Sequence, residues 1–248
     1  MAMGPRRTLV VDGSVVEGAA SLEAASLVAW RVASAAARHE ADEVIVIRAA
    51  SSSSPSHPQA SAVAGARVPP ARGQGAAFLA RLLQFFESPP YLRRALIPRH
   101  PDLAMVGALP RHHPSPPESR VCAMPHHLKI HQWRRHREGV VVPEKNPVKP
   151  GKSTLADVGL GAPVALDRAV KLGVRVTVEL PDQPPTTHGN IHTDVADVIA
   201  GAVVSPAVPR AVGYWGFDVR LANAAEDHPA AETHEDEGVR YRLVASTR

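Results

Sequence analysis

Between Pro125 and Gly139 the chain reads PHHLKIHQWRRHREG, a stretch dense in side chains that could do chemistry. His127 and His131 are spaced as two ligands on one helical face would be, with His126 and His136 close by. The glutamate of a zinc-protease helix is missing, because Leu128 stands in its place, and the neighbouring cations repel a metal ion. No metal centre is expected. Lys129, Arg134, Arg135 and Arg137 pair phosphate-binding cations with Trp133 as a stacking platform, which is chemistry suited to single-stranded RNA. The same residues equally describe a solvated charged helix whose Trp133 packs on the core. Both readings stay open on the residues alone.

Other candidates are weaker. Lys149–Thr154 spells KPGKST, but a phosphate loop needs a glycine where Asn146 stands, and Pro147 and Pro150 remove amides that the phosphate cradle requires. Ser14, Cys122 and Ser153 have no nucleophile motif around them. Gly159 and Gly161 read as a turn.

The elements that must position these residues fall into two kinds. Thr8–Val11, a helix over Leu22–Arg38 capped by Ser21, and the β-branched run Val44–Ile47 make a strand–helix–strand unit, so a parallel α/β sheet is expected. Residues 49–75 are rich in Ser, Pro, Ala and Gly and read as a disordered loop. Ala76–Glu87 carries a wide apolar stripe and reads as a helix ended before Pro89. Ser88–Pro110 is a proline-punctuated hinge with a short helix near Tyr91–Leu96 and the cations Arg93, Arg94 and Arg99. Beyond the insertion Arg111–Met124 the chain turns to short β-like pieces. These are Val140–Val142, Leu155–Val158, Ala162–Leu166, Val174–Leu180, His188–His192, Val203–Val204 and Tyr214–Leu221, which suggest a small barrel or sandwich. Val174, Val176, Val178 and Leu180 alternate with Arg175, Thr177 and Glu179, so one face should be buried and the other wet. Ala222–Gly238 reads as an acidic loop and Gly238–Thr247 as a last strand.

Composition sets outer limits. The net charge of +4 permits nucleic acid as a partner without demanding it. A single cysteine excludes a disulfide framework within the chain and points to a reducing compartment. No apolar run is long enough for a transmembrane helix, and Asp12 and Gly13 interrupt the only signal-like stretch, so a nuclear or cytoplasmic protein is expected.

Several blocks carry a resemblance to a known family. TLVV at Thr8–Val11 with its helix, DEVIVI at Asp42–Ile47 and GQGAAFLARLLQFFESPPYLRRALIPRHPDL at Gly73–Leu103 resemble an RNA methyltransferase family of the SPOUT superfamily. So do PHHLKIHQWRRHREGVVV at Pro125–Val142, LGVRVTVEL at Leu172–Leu180 and GYWGFDVRLAN at Gly213–Asn223. The resemblance implies an α/β-knot sheet domain interrupted by an inserted OB-like β-barrel. Residues 1–117 would form the first part of the sheet domain, 118–221 the barrel, and 222–248 an acidic loop and the start of the second part. It further implies S-adenosylmethionine as methyl donor, RNA as substrate and pairing into a homodimer.

In that family a strand after the barrel ends in a glycine-threonine-serine turn at the cofactor, before the knot is threaded. Here the matching positions are Ser246 and Thr247, remnants of the cofactor turn, with Ser246 in place of the glycine; the knot beyond is expected to be missing. Two functions follow. One is an S-adenosylmethionine-dependent RNA methyltransferase, impaired where the knot is absent. The other is a non-catalytic RNA-binding protein that uses the barrel, Arg93, Arg94, Arg99 and the Lys129–Arg137 segment.

Overall fold

The computed structural model describes residues 6–48, 69–107, 109, 124–145, 147, 149–184, 199–223, 232–236 and 239–246. In chain order the elements begin with β1 (Arg6–Asp12), α1 (Leu22–Arg38), β2 (Glu43–Arg48), α2 (Gly75–Glu87) and α3 (Arg93–Leu96). Then come β3 (His136–Val142), β4 (Lys152–Asp157), β5 (Val164–Lys171), β6 (Arg175–Glu179) and β7 (Ile199–Val204). The last are α4 (Ala207–Arg210), β8 (Asp218–Asn223), β9 (Glu232–Asp236) and β10 (Val239–Ser246). They divide into two compact units, residues 1–88, 99–126 and 216–248 in the first, and 89–98 and 127–215 in the second.

The first unit is a five-stranded sheet in the order β8-β2-β1-β10-β9. β1–β2 and β2–β8 are parallel, whereas β1–β10 and β10–β9 are antiparallel. The parallel sheet expected around β1 and β2 is therefore present, extended on one side by an antiparallel pair. Strands β1 and β2 are buried through Leu9, Val10, Val11, Val44, Ile45 and Val46, as continuous apolar runs require. Helix α1 forms within the bounds its sequence predicts: Ser21 Oγ accepts from the Ala24 amide at 3.1 Å and closes the first turn. Its alanine face, Ala25, Ala29, Ala33 and Ala36, is fully buried, and Trp30 meets Phe86 of α2 edge-on with ring centroids 5.3 Å apart.

Of the stretch expected to be disordered, residues 69–75 are described and ordered by contact, while the serine run lies outside the described residues. Glu17 accepts from the amides of Gly73 (2.8 Å) and Gly75 (3.0 Å), supplying the cap that Gln74 does not give α2. The acidic loop expected at Ala222–Gly238 is also corrected. Glu232–Asp236 forms β9, because β10 offers it an antiparallel ladder that composition does not reveal.

The second unit is a closed barrel in the order β3-β4-β5-β7-β6. All neighbouring pairs are antiparallel except β5–β7. Numbering its strands one to five, the order is 1-2-3-5-4 with the third and fifth parallel. Val141, Ala156, Val158, Val164, Leu166, Val176, Val178 and Leu180 fill its interior. The alternation along β6 holds for Val176, Val178 and Leu180, but Thr177 is 3% exposed rather than wet, and Val174 is exposed. The strand expected at Tyr214–Leu221 forms at Asp218–Asn223 and belongs to the sheet of the first unit, where it pairs with β2. The piece His188–His192 lies outside the described residues. No helix among the described residues is long and apolar enough to cross a membrane.

Candidate nucleic-acid interface

The basic segment before the barrel is not a helix. Lys129 to Arg135 run as coil and turns into β3, and the backbone is pinned where His131 N donates to Gly159 O at 2.9 Å. The i,i+4 placement of His127 and His131 on one helical face is therefore not realised. His131 adopts φ 62°, a conformation outside any helix.

Its cations meet different fates. Arg137 is fully buried and donates to three backbone carbonyls: Val158 O through Nε at 2.7 Å, Gln132 O through Nη1, and Lys129 O at 3.4–3.5 Å. Burial lowers its pKa, while the Tyr91 ring, 5.0 Å from the guanidinium carbon, favours the charge. Arg137 thus braces the segment from inside and does not face a ligand. Arg135 is exposed and pairs with Glu179 (2.8 Å) and Asp182 (3.0 Å), which raises its pKa. Trp133 Nε1 donates to Pro181 O at 3.0 Å and its ring packs against the barrel core. Lys129 and Arg134 remain exposed.

The cations of Ser88–Pro110 also separate. Arg93 is 6% exposed, whereas Arg94 and Arg99 are exposed. Arg94 stands on α3 in the second unit and Arg99 in the first. Sequence spacing alone could not sort these residues, since buried and exposed arginines alternate with no helical or strand period.

A polar cluster inside the second unit has no counterpart in the sequence motifs. Glu138, 9% exposed, accepts from Arg175 Nε (2.6 Å), Thr177 Oγ1 (2.9 Å) and Trp215 Nε1, and Tyr91 OH donates to its backbone carbonyl at 2.9 Å. Tyr91, Glu138 and Trp215 come from separate parts of the chain and only Arg175 and Thr177 share a strand, so no single local pattern announces it. The charge is buried but satisfied by three donors. Lys149 and Lys152 of KPGKST sit in a turn that opens β4, with Lys152 N donating to Lys149 O at 3.1 Å and Gly151 at φ 70°. Lys145 and Lys171, which no motif marks, are exposed on the flanking segments.

A mixed sheet with an all-β barrel set into its sequence between β2 and β8 defines a two-unit α/β protein. Residues 6–248 match the family described as "Putative RNA methyltransferase", and the chain belongs to it. It is 32% identical over 218 residues to the human 28S rRNA (uridine-N(3))-methyltransferase, covering 87% of this chain and 51% of that protein. Against the Drosophila melanogaster protein of the same name it is 34% identical over 231 residues, 89% of this chain and 42% of that one. The chain spans about half the length of the curated relatives it matches.

The resemblance places a cofactor turn at Ser246 and Thr247. Strand β10 ends at Ser246, which stands in the ladder as the register partner of Arg6 on β1. Thr247 lies outside the described residues.

Proposed function

We propose that this chain is the part of a SPOUT-class, S-adenosylmethionine-dependent RNA methyltransferase that carries the sheet domain and an OB-like barrel for holding RNA. One observation carries the reading: the family match runs over residues 6–248, spanning both units. The barrel order 1-2-3-5-4, with its single parallel pair, supports the OB-like assignment, and such barrels commonly hold single strands. The activity for which these relatives are named makes a uridine N3 of 28S ribosomal RNA the first substrate to test.

For the RNA contact, exposure favours Lys129, Arg134 and Arg94 in the barrel unit and Arg99 in the sheet unit, while Arg93 and Arg137 are held inside. In such an enzyme the donor supplies the activated methyl group. The protein's share is to hold the uridine base and keep water away.

The test is transfer of labelled methyl from S-adenosylmethionine to a large-subunit rRNA fragment, read at the nucleoside level. N3-methyluridine is the expected product, and absence of label with RNA bound would overturn the enzymatic reading. A second reading is RNA binding by the barrel without methyl transfer. Calorimetry separates them: heat on adding S-adenosylmethionine supports the enzyme, and none supports the binding protein.

A further inference from the structure

We propose that the rim of the barrel formed by Lys145, Lys149, Lys152 and Lys171 grips the phosphate backbone of single-stranded RNA, apart from the basic segment Lys129–Arg135. The inference rests on the reading of the chain as an RNA-handling protein.

The register builds this rim. Lys152 and Lys171 are partners across the β4–β5 pair. Lys152 N donates to Lys149 O and Leu172 N to Gly151 O, both at 3.1 Å, which brings Lys149 onto the same edge. Lys145 lies on the connection from β3 that leads into this turn. All four lysines are exposed, and among the described residues none has a carboxylate within ion-pair distance. Glu144, their neighbour in sequence, is turned to Thr154, accepting from its hydroxyl at 2.8 Å and its amide at 3.4 Å.

The basic segment belongs to the other end of the barrel. β3 starts at His136, paired with Glu179, and ends at Val142, paired with Leu155. Leu180 N donates to Arg135 O, and Trp133 is tied to Pro181, so that segment sits where β3 begins and β6 ends. At about 3.4 Å per residue the length of β3 puts about 20 Å between the two ends. At the β3 start, Arg135 is already balanced by two carboxylates and Arg137 is internal. At the lysine rim none of the four lysines forms an ion pair among the described residues.

Such a cluster repels itself, and a polyanion relieves the repulsion by replacing small counterions. Lysines are mobile point charges suited to phosphates of variable spacing. The segments Pro143–Lys152 and Val170–Arg175 contain no aromatic residue, so this rim has no stacking platform and should hold phosphates with little regard to base. Leu172 and Val174, 37% and 39% exposed, form an apolar shoulder beside it. That shoulder suits the sugar faces of a strand.

The test uses the full chain and a fluorescein-labelled, mixed-sequence RNA of about 16 nucleotides, the upper end of what one such barrel covers. Anisotropy is followed against salt for the wild type, for a variant carrying K145Q, K149Q, K152Q and K171Q, and for one with all four changed to arginine. The glutamine variant should bind on the order of tenfold more weakly near 0.1 M salt, with a salt slope shallower by about 0.7 for each phosphate no longer neutralised. The arginine variant should keep both affinity and slope. In the wild type, RNA should shield these lysines from an amine-reactive reagent read by mass spectrometry, which needs no variant to fold. Tight binding by the wild type with no change in the glutamine variant and no shielding would overturn the rim while leaving the RNA reading intact. Failure of the wild type to bind RNA overturns the RNA reading and the rim with it, and so does binding to anionic vesicles in place of RNA.

Discussion

The guanidinium of Arg137 stands 5.0 Å from the centre of the Tyr91 ring, and the Tyr91 hydroxyl donates to the carbonyl of the next residue, Glu138, at 2.9 Å. One aromatic side chain thus ties the stretch just before α3 to β3 at two successive residues. Arg137 completes the joint by gathering the carbonyls of Lys129, Gln132 and Val158. An arginine with the look of an RNA ligand is a structural brace.

Replacing Arg137 with methionine keeps the volume and removes the donors, leaving buried carbonyls unpaired. The expected loss is about 3 kcal/mol, because several charge-assisted bonds vanish together. Urea unfolding of the variant measures it. RNA affinity of the folded variant should match the wild type; a large loss of affinity with little loss of stability would mean that Arg137 faces the ligand.

Gly159 and Gly151 share a left-handed backbone but differ in surroundings. At Gly159 (φ 74°) a β-carbon would lie 2.6 Å from the Tyr91 ring, whereas at Gly151 (φ 70°) nothing stands within 4 Å. Gly151→Ala should cost about 1 kcal/mol from backbone strain alone. Gly159→Ala should cost about 2–4 kcal/mol, since the ring must also move. Thermal unfolding of the pair checks the order; equal effects would mean that the ring yields freely.

Burial pushes the Tyr91 hydroxyl up to about 12, with Glu138 adding to the rise and Arg137 and Arg175 opposing it. The unfolded chain ionises this group near its ordinary value of 10.0, so it contributes fully to stability below that pH. The contribution is lost as pH climbs from 10 towards 12, because the unfolded state gives up the proton first. Melting temperature should therefore fall over that window, and Tyr91→Phe should flatten the fall. A parallel decline in both proteins would remove Tyr91 as its source.

Glu17 serves α2 from a distance, and Glu17→Ala should cost about 1–2 kcal/mol by stripping two amides at the helix start of their acceptor. Glu17→Gln, which retains an acceptor oxygen, should lose less. Hydrogen exchange at Gly73 and Gly75 would report the loss locally, and unchanged protection in the alanine variant would show that water caps the helix equally well.

Much of the sheet domain is legible in the sequence because its signals are local. Ser21 caps α1, Val44–Ile47 is β-branched throughout, and Pro89 follows the stop of α2. The barrel is legible in kind through the alternation in β6. What stays hidden depends on partners far along the chain. Glu232–Asp236 looks like an acidic loop until β10 pairs with it, and Asp218–Asn223 looks like barrel until β2 claims it. Likewise the role of Arg137 depends on which carbonyls surround it, while its neighbours Arg134 and Arg135 carry the same side chain outside. Charge and spacing cannot tell a brace from a grip.

Strands β1 and β2 are made early, yet the strands that flank them, β8 and β10, are made only after the barrel. On the ribosome this two-strand ribbon must wait, with both borders bare, while the whole barrel emerges and closes on itself. Bare borders of β-branched strands invite mispairing with other nascent chains. A chaperone that shelters the early ribbon should raise the yield of the intact chain far more than that of the barrel.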